Sequence, residues 1–201
     1  MTVATPDLGR PDEPRPARQR ILDTAFRLFY AHGVRGVGVD TVIAESGVAK
    51  ATLYKHFSSK GDLVLAYLDR VDELWRGQLR SAADAGGPDA RARLVGMFDA
   101  LETACRRDGY HGCAFINTAA ESASGTEVHA RTVEHKDAVR VWVRELAVAA
   151  DARDPDGLAR SLTLLLDGGL AAGVLDGDPR AAAAAREAAR ALVDAQCSRR
   201  V

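Results

Sequence analysis

Apolar residues recur along this chain at three- and four-residue spacing, and no segment alternates apolar and polar residues with period two. A period near 3.6 puts apolar side chains on one face of a helix, whereas a half-buried strand needs strict alternation. Composition points the same way, with 47% hydrophobic but only 5% aromatic residues. A core so poor in aromatics is assembled from Leu, Val and Ala on helices. The expected fold class is all-α, with nine helices.

Residues 1–16 hold Pro6, Pro11, Pro14 and Pro16 among charges, the pattern of a flexible arm. From Ala17 the helical period begins, and a first helix is expected to end near His32, because Gly33 follows. A short second helix spans about Val39 to Ser46 with Gly47 as its stop, and a third runs from about Lys50 to Phe57. Ser59 is a suitable N-cap for a fourth, with Asp62 placed where a carboxylate favours the helix dipole. Gly86-Gly87-Pro88 is the clearest break. Beyond it helices are expected over 89–107, 113–122 and 126–150, and two more opened by Pro155 and Pro179. The domains expected are an arm (1–16), a three-helix head (17–60) and a helical body (61–201).

The net charge of −1 hides an asymmetry. Residues 1–60 carry nine Lys/Arg against six Asp/Glu, a balance of +3, which leaves −4 for residues 61–201. Any nucleic-acid binding is therefore expected in the first sixty residues. Three cysteines (Cys105, Cys113 and Cys197) are too few for a disulfide framework and lack C-x-x-C spacing. No apolar run approaches the roughly eighteen residues of a membrane helix, and no signal peptide opens the chain. The expectation is a cytoplasmic protein with no membrane partner.

Two short helices joined by Gly47-Val48 in a positive head match the helix-turn-helix pattern, in which the second helix lies in the major groove; many all-α proteins contain such a corner. Leu53 and Phe57, four apart, form the buried side of that helix, with Val42 and Val48 behind them. Lys50, Ala51, Thr52, Tyr54, Lys55 and His56 are left facing outward. The words Thr52-Leu53-Tyr54-Lys55-His56-Phe57 and Ser58-Ser59-Lys60-Gly61-Asp62-Leu63 closely resemble the DNA-binding head of the TetR family of repressors. So do Val39 to Val48 and the first-helix run Ile21 to Gly33, and the resemblance covers about residues 17–65. It implies a two-domain, nine-helix TetR-like fold in which the head reads DNA.

Ala51 is small enough for close approach to base edges, Lys50 reaches guanine acceptors and Thr52 a thymine methyl or base edge. By resemblance, Tyr54 and His56 are phosphate contacts. Lys60 adds a cation beside the backbone N–H groups opening the fourth helix, a place for a phosphate. Thr41 is a further phosphate candidate, and Arg15, Arg18 and Arg20 reach toward an adjacent groove. Gly38 and Ala49 stand where the family often has Ser or Thr, which removes helix-cap oxygens worth about 1 kcal/mol each.

In the body the resemblance implies an effector pocket and a dimer interface. Apolar candidates for the pocket are Met97, Phe98, Leu101, Cys105, Phe115, Ile116 and Trp142, with Asn117, Glu121, His129 and Tyr110 as polar anchors. The stripe Leu158, Leu162, Leu165, Leu166, Leu170 and Val174, with Gly169 and Gly173 four apart, suits close helix approach. It pairs with the alanine-rich last helix, including Ala185 and Leu192, in an expected four-helix interface between subunits. The partners implied are double-stranded DNA carrying a palindromic operator, a small-molecule effector and a second copy of the chain. No cofactor and no metal are expected.

Two rivals use other residues. An enzyme would pair Cys113 or Cys105 with His111 as nucleophile and base, but no nucleophile elbow or Gly-rich phosphate loop accompanies them. A metal- or redox-responsive regulator would recruit His111, Cys113, Glu121, His129 and His135, whose spacings match no common ligand motif. The reading favoured is a homodimeric repressor released from its operator by a small molecule.

Overall fold

The computed structural model describes residues 16–175, 177 and 180–197, all of them helical or connecting, with no strand among the described residues. Residues 1–15 of the arm, with Arg15, and Pro179 lie outside the described residues. The chain divides into two compact units, one ending at Tyr67 and the other beginning at Leu68.

The first unit holds α1 (Ala17–Gly36), α2 (Val39–Ser46), α3 (Lys50–His56) and the opening turns of α4 (Lys60–Ala85). Ile21, Ala25, Leu28 and Phe29, the periodic positions of α1, are buried against α2 and α3. Gly33, at φ 75° and ψ 158°, is non-helical and stops the first helical run as expected, and a short helical turn over residues 34–36 follows the kink within α1. Glycine reaches positive φ at little steric cost, and the bend turns Val34 and Val37 inward. Gly47, at φ 64°, closes α2 and turns the chain into α3. Tyr67 is fully buried and takes edge-on ring contacts from Phe26 and Phe29, with centroids 5.7 and 5.6 Å away. Those contacts dock the start of α4 on α1.

The second unit holds the rest of α4, α5 (Ala90–Gly96), α6 (Asp99–Cys105), α7 (Ala114–Glu121), α8 (Glu127–Ala149), α9 (Pro155–Leu175) and α10 (Arg180–Gln196). The helix expected over 89–107 is broken at Met97-Phe98 into α5 and α6. Leu94, Val95, Gly96, Met97 and Phe98 are all buried, and the break falls inside this run. At the break the backbone tightens to i,i+3 hydrogen bonds, from Phe98 N to Val95 O and from Leu101 N to Phe98 O. Taken as one interrupted helix, the pair leaves nine helices among the described residues.

Helix α9 is the spine of this unit, packed on α6, α8 and α10. Leu158, Leu162, Leu166, Gly169 and Gly173 of α9 and Ala185 of α10 are buried inside the unit itself. A side chain at Gly169 would strike Leu101, and a Cβ at Gly173 would lie 2.6 Å from Cys105 Sγ. The two glycines admit α6, not a second subunit. Leu192 is half-buried against the same core. The stripe expected to join subunits is thus an intrachain contact, because periodicity shows that a face is buried but not against which helix. The outward faces are Leu164, Gly168, Ala171 and Leu175 on α9, and Ala184, Ala188, Ala191 and Ala195 on α10.

By length and composition α9 is also apolar enough to cross a membrane. The sequence reading did not anticipate this, because Arg160 and Asp167 interrupt the apolar run. Its inward residues form the core just described.

Candidate nucleic-acid interface and body cleft

Helix α3 is held from behind. Leu53 is fully buried and Phe57 nearly so, with Val42 and Val48 packed in the same core. Anchoring on those positions leaves Lys50, Ala51, Tyr54, Lys55 and His56 exposed and Thr52 half-buried, all on or around one outward face. Ala49 has no side-chain oxygen to cap the helix, and its carbonyl accepts the opening bonds from Thr52 N at 2.9 Å and Leu53 N at 3.2 Å, as any N-cap carbonyl does. Lys50 Nζ lies 3.4 Å from Asp40 Oδ1, with both side chains largely exposed. Such a pair contributes little stability, but it parks Lys50, a candidate for base contact, beside a carboxylate.

The flanks of α3 carry the remaining head candidates. Arg18 is exposed, with its guanidinium 5.2 Å from the centre of the Phe57 ring, a cation–π contact that steadies a mobile cation. Thr41 is exposed on α2. At the start of α4, Ser59 Oγ accepts from Asp62 N at 3.0 Å, as the expected cap requires. Hydrogen bonds from Ser58 and Ser59 hold the Asp62 carboxyl below its ordinary pKa. Lys60, half-buried, opens that helix. Every DNA-binding candidate in the described head is therefore solvent-accessible around α3.

The body candidates are scattered. Met97, Phe98 and Leu101 are sealed in the core at 0 to 1% exposure, and Trp142 is half-buried against it. Asn117 is exposed and donates from Nδ2 to His111 O at 2.8 Å; Tyr110 donates to Leu170 O at 2.7 Å. Glu121 is half-buried. Phe115, Ile116 and His129 do come together, in a cleft of about 530 Å³ among α7, α8 and α9. Its polar wall consists of residues the sequence reading passed over: Thr132, Lys136 and Arg140 on α8, Arg160, Thr163 and Asp167 on α9. Their spacing was the available signal, since His129, Thr132, Lys136 and Arg140 share one helical face.

Behind the cleft lies a polar cluster joining α4 to α8. Asp72 accepts from His135 Nδ1 at 2.6 Å, Arg131 Nη2 at 3.1 Å and Arg76 Nη1 at 3.3 Å, while Arg131 Nε reaches Asp69 at 2.7 Å. His135 stacks flat on Phe115, with centroids 3.6 Å apart. Burial, only partly opposed by Asp72, pushes the His135 imidazole down to about 4. Burial works against ionised Asp72, but the His135 and Arg131 hydrogen bonds outweigh it and hold its carboxyl below the ordinary value.

Among the described residues, no group of three or more His, Cys, Asp or Glu is placed to hold a metal. Burial pushes the Cys105 thiol up, which weakens it as a nucleophile.

Comparison with known proteins agrees with the head geometry. The family described as bacterial regulatory proteins, tetR family, matches residues 21–67. The transcriptional activator FasR of Mycolicibacterium smegmatis is 38% identical over 94 residues. That match covers 44% of this chain and 42% of FasR, so the chain spans well under two thirds of this relative's length. The solved structure of SCO4454, a TetR-family transcriptional regulator from Streptomyces coelicolor, is 36% identical with TM-score 0.84. It is matched over 90% of this chain and 96% of its own. The sav143 regulator of Streptomyces avermitilis follows the same fold at 27% identity and TM-score 0.75, over 87% of this chain and 98% of that one. With the helix-turn-helix exposed as DNA reading requires, and with that likeness running through both units, this chain belongs to the TetR family of DNA-binding transcriptional regulators.

Proposed function

We propose that the protein is a homodimeric repressor that leaves a palindromic operator when a small molecule occupies the body. The observation that carries this reading is the exposed face of α3, where Lys50, Ala51, Thr52 and Tyr54 surround an anchor of buried Leu53. In it, Lys50, Ala51 and Thr52 read bases, while Thr41, Tyr54, Lys55, His56, Lys60 and Arg18 hold phosphates. Two heads then occupy half-sites about 10 base pairs, or a multiple, apart.

Pairing of subunits is assigned to the outward stripe of α9 and α10: Gly168, Ala171, Leu175, Ala184, Ala188, Ala191 and Ala195. Small residues let helices close to short range, and a two-fold operator calls for a two-fold protein. The effector acts through α4, the helix whose residues belong to both units. It shifts the equilibrium only by its differential affinity for the DNA-bound and free arrangements.

Selection of binding sites from random duplexes tests the reading. An inverted repeat is expected, bound by a species of twice the monomer mass in sedimentation. Ala188→Arg with Ala191→Arg should yield monomers that lose the operator. Deleting the gene should raise transcription from the operator-bearing promoter; a fall would reverse the sign, to the activator role that FasR's name records.

A further inference from the structure

We infer that the body's ligand is an amphipathic organic monoanion, a carboxylate on an apolar frame, seated among α7, α8 and α9 with its carboxylate on Lys136 in place of Asp167. The inference rests on the reading that the body holds an effector, and adds its chemical class and the residues that recognise it.

The cleft fits a small organic molecule by size, at about 530 Å³. Phe115, Ile116 and Leu164 supply apolar walls, and Ile116 and Leu164 leave 40% and 65% of their surface to solvent. Its ionic inventory is uneven. Lys136, Arg140 and Arg160 face Asp137 and Asp167, which leaves one surplus positive charge. Asp137 pairs with Arg140 and Asp167 with Lys136. Arg160 has no ion-pair partner among the described residues. One added carboxylate balances the wall, and a dianion over-balances it.

The Lys136–Asp167 pair also decides where that carboxylate goes. Both residues line the cleft and, behind it, a cavity of about 20 Å³ that reaches Trp75 and His135. The pair lines both spaces, together with Thr163, and is about 30% exposed on each side chain and so partly desolvated. Covering it with a neutral molecule removes water from both charges and returns no partner. A carboxylate repays that loss on Lys136 by a charge-assisted hydrogen bond, while Arg160, the wall's surplus cation, offsets the displaced Asp167.

The test uses the full-length protein without DNA. Decanoate and phenylbutyrate are titrated beside decanol and phenylbutanol, with binding read by tryptophan fluorescence (Trp75 and Trp142) and by thermal shift. The acids should bind at least about tenfold tighter than their alcohols. Lys136→Met should weaken the acids about tenfold and leave the alcohols within about twofold, while Asp167→Asn should tighten the acids by removing their competitor. If Lys136→Met does not fold, Arg160→Gln serves, at an exposed residue, with an expected loss of about threefold. Equal binding of acid and alcohol, no binding of either, or acid binding indifferent to these substitutions overturns the inference. Operator binding by the ligand-free protein is scored separately. Its absence would sink the regulator reading alone, and its presence with unselective or absent acid binding would sink the ligand class alone.

Discussion

Acid should loosen the body through His135. The folded imidazole titrates at about 4, below its ordinary 6.5, because it is 1% exposed and stacked on Phe115. Between those two values the unfolded chain carries a proton that the folded chain refuses. Stability therefore rises with pH across this window and is lost as pH falls through it. From about pH 7 to about pH 4.5 the unfolded imidazole goes from about a quarter to almost fully protonated while the folded one stays mostly neutral, a loss of about 2 kcal/mol. Asp72, whose carboxyl is held low, loses stability in the same direction at more acid pH.

The comparison variant is His135→Phe, which keeps an aromatic ring against Phe115 and removes the titration. Arg131 and Arg76 still donate to Asp72 in that variant. Urea unfolding followed by Trp75 and Trp142, both in the second unit, reports the body. With the denaturant slope unchanged, wild type should lose about 2 kcal/mol more than the variant over this pH range. Parallel pH dependences of the two proteins would show that His135 is not buried neutral and would refute the reasoning.

Other substitutions test the head and the core. Lys60→Ala should weaken specific and non-specific DNA alike and flatten the salt dependence, whereas Lys50→Ala should cost about 1–3 kcal/mol on the cognate site and relax its preference. Asp40→Asn should strengthen DNA binding by freeing Lys50, read by anisotropy at fixed salt. Gly47→Ala, forced into left-handed backbone, should destabilise the head by about 1–2 kcal/mol in thermal unfolding. Gly169→Leu should overpack α9 against Leu101 and cost the body about 1–3 kcal/mol or more, while surviving folded protein still sediments as a dimer.

Some of this was decided by local rules that a linear sequence displays. Period and stop residues defined the helices because Gly33, Gly47 and Pro155 act on their own backbone, and the Ser59 cap reaches only three residues along the chain. The recognition face was legible for the same reason: once Leu53 and Phe57 point inward, helical geometry sends Lys50, Ala51 and Tyr54 outward. Tertiary structure decided whatever depends on which helix meets which. The stripe of Leu158, Leu162 and Gly169 reads identically whether it packs on α6 or on another subunit, and only the fold places Leu101 against Gly169. Met97 and Phe98 read as pocket lining, but the fold places them in a run of five consecutive buried residues at the break between α5 and α6. The cleft was the least legible feature, because Lys136 and Asp167 are 31 residues apart, and a polar residue's partner is set by long-range packing rather than by its neighbours in the chain.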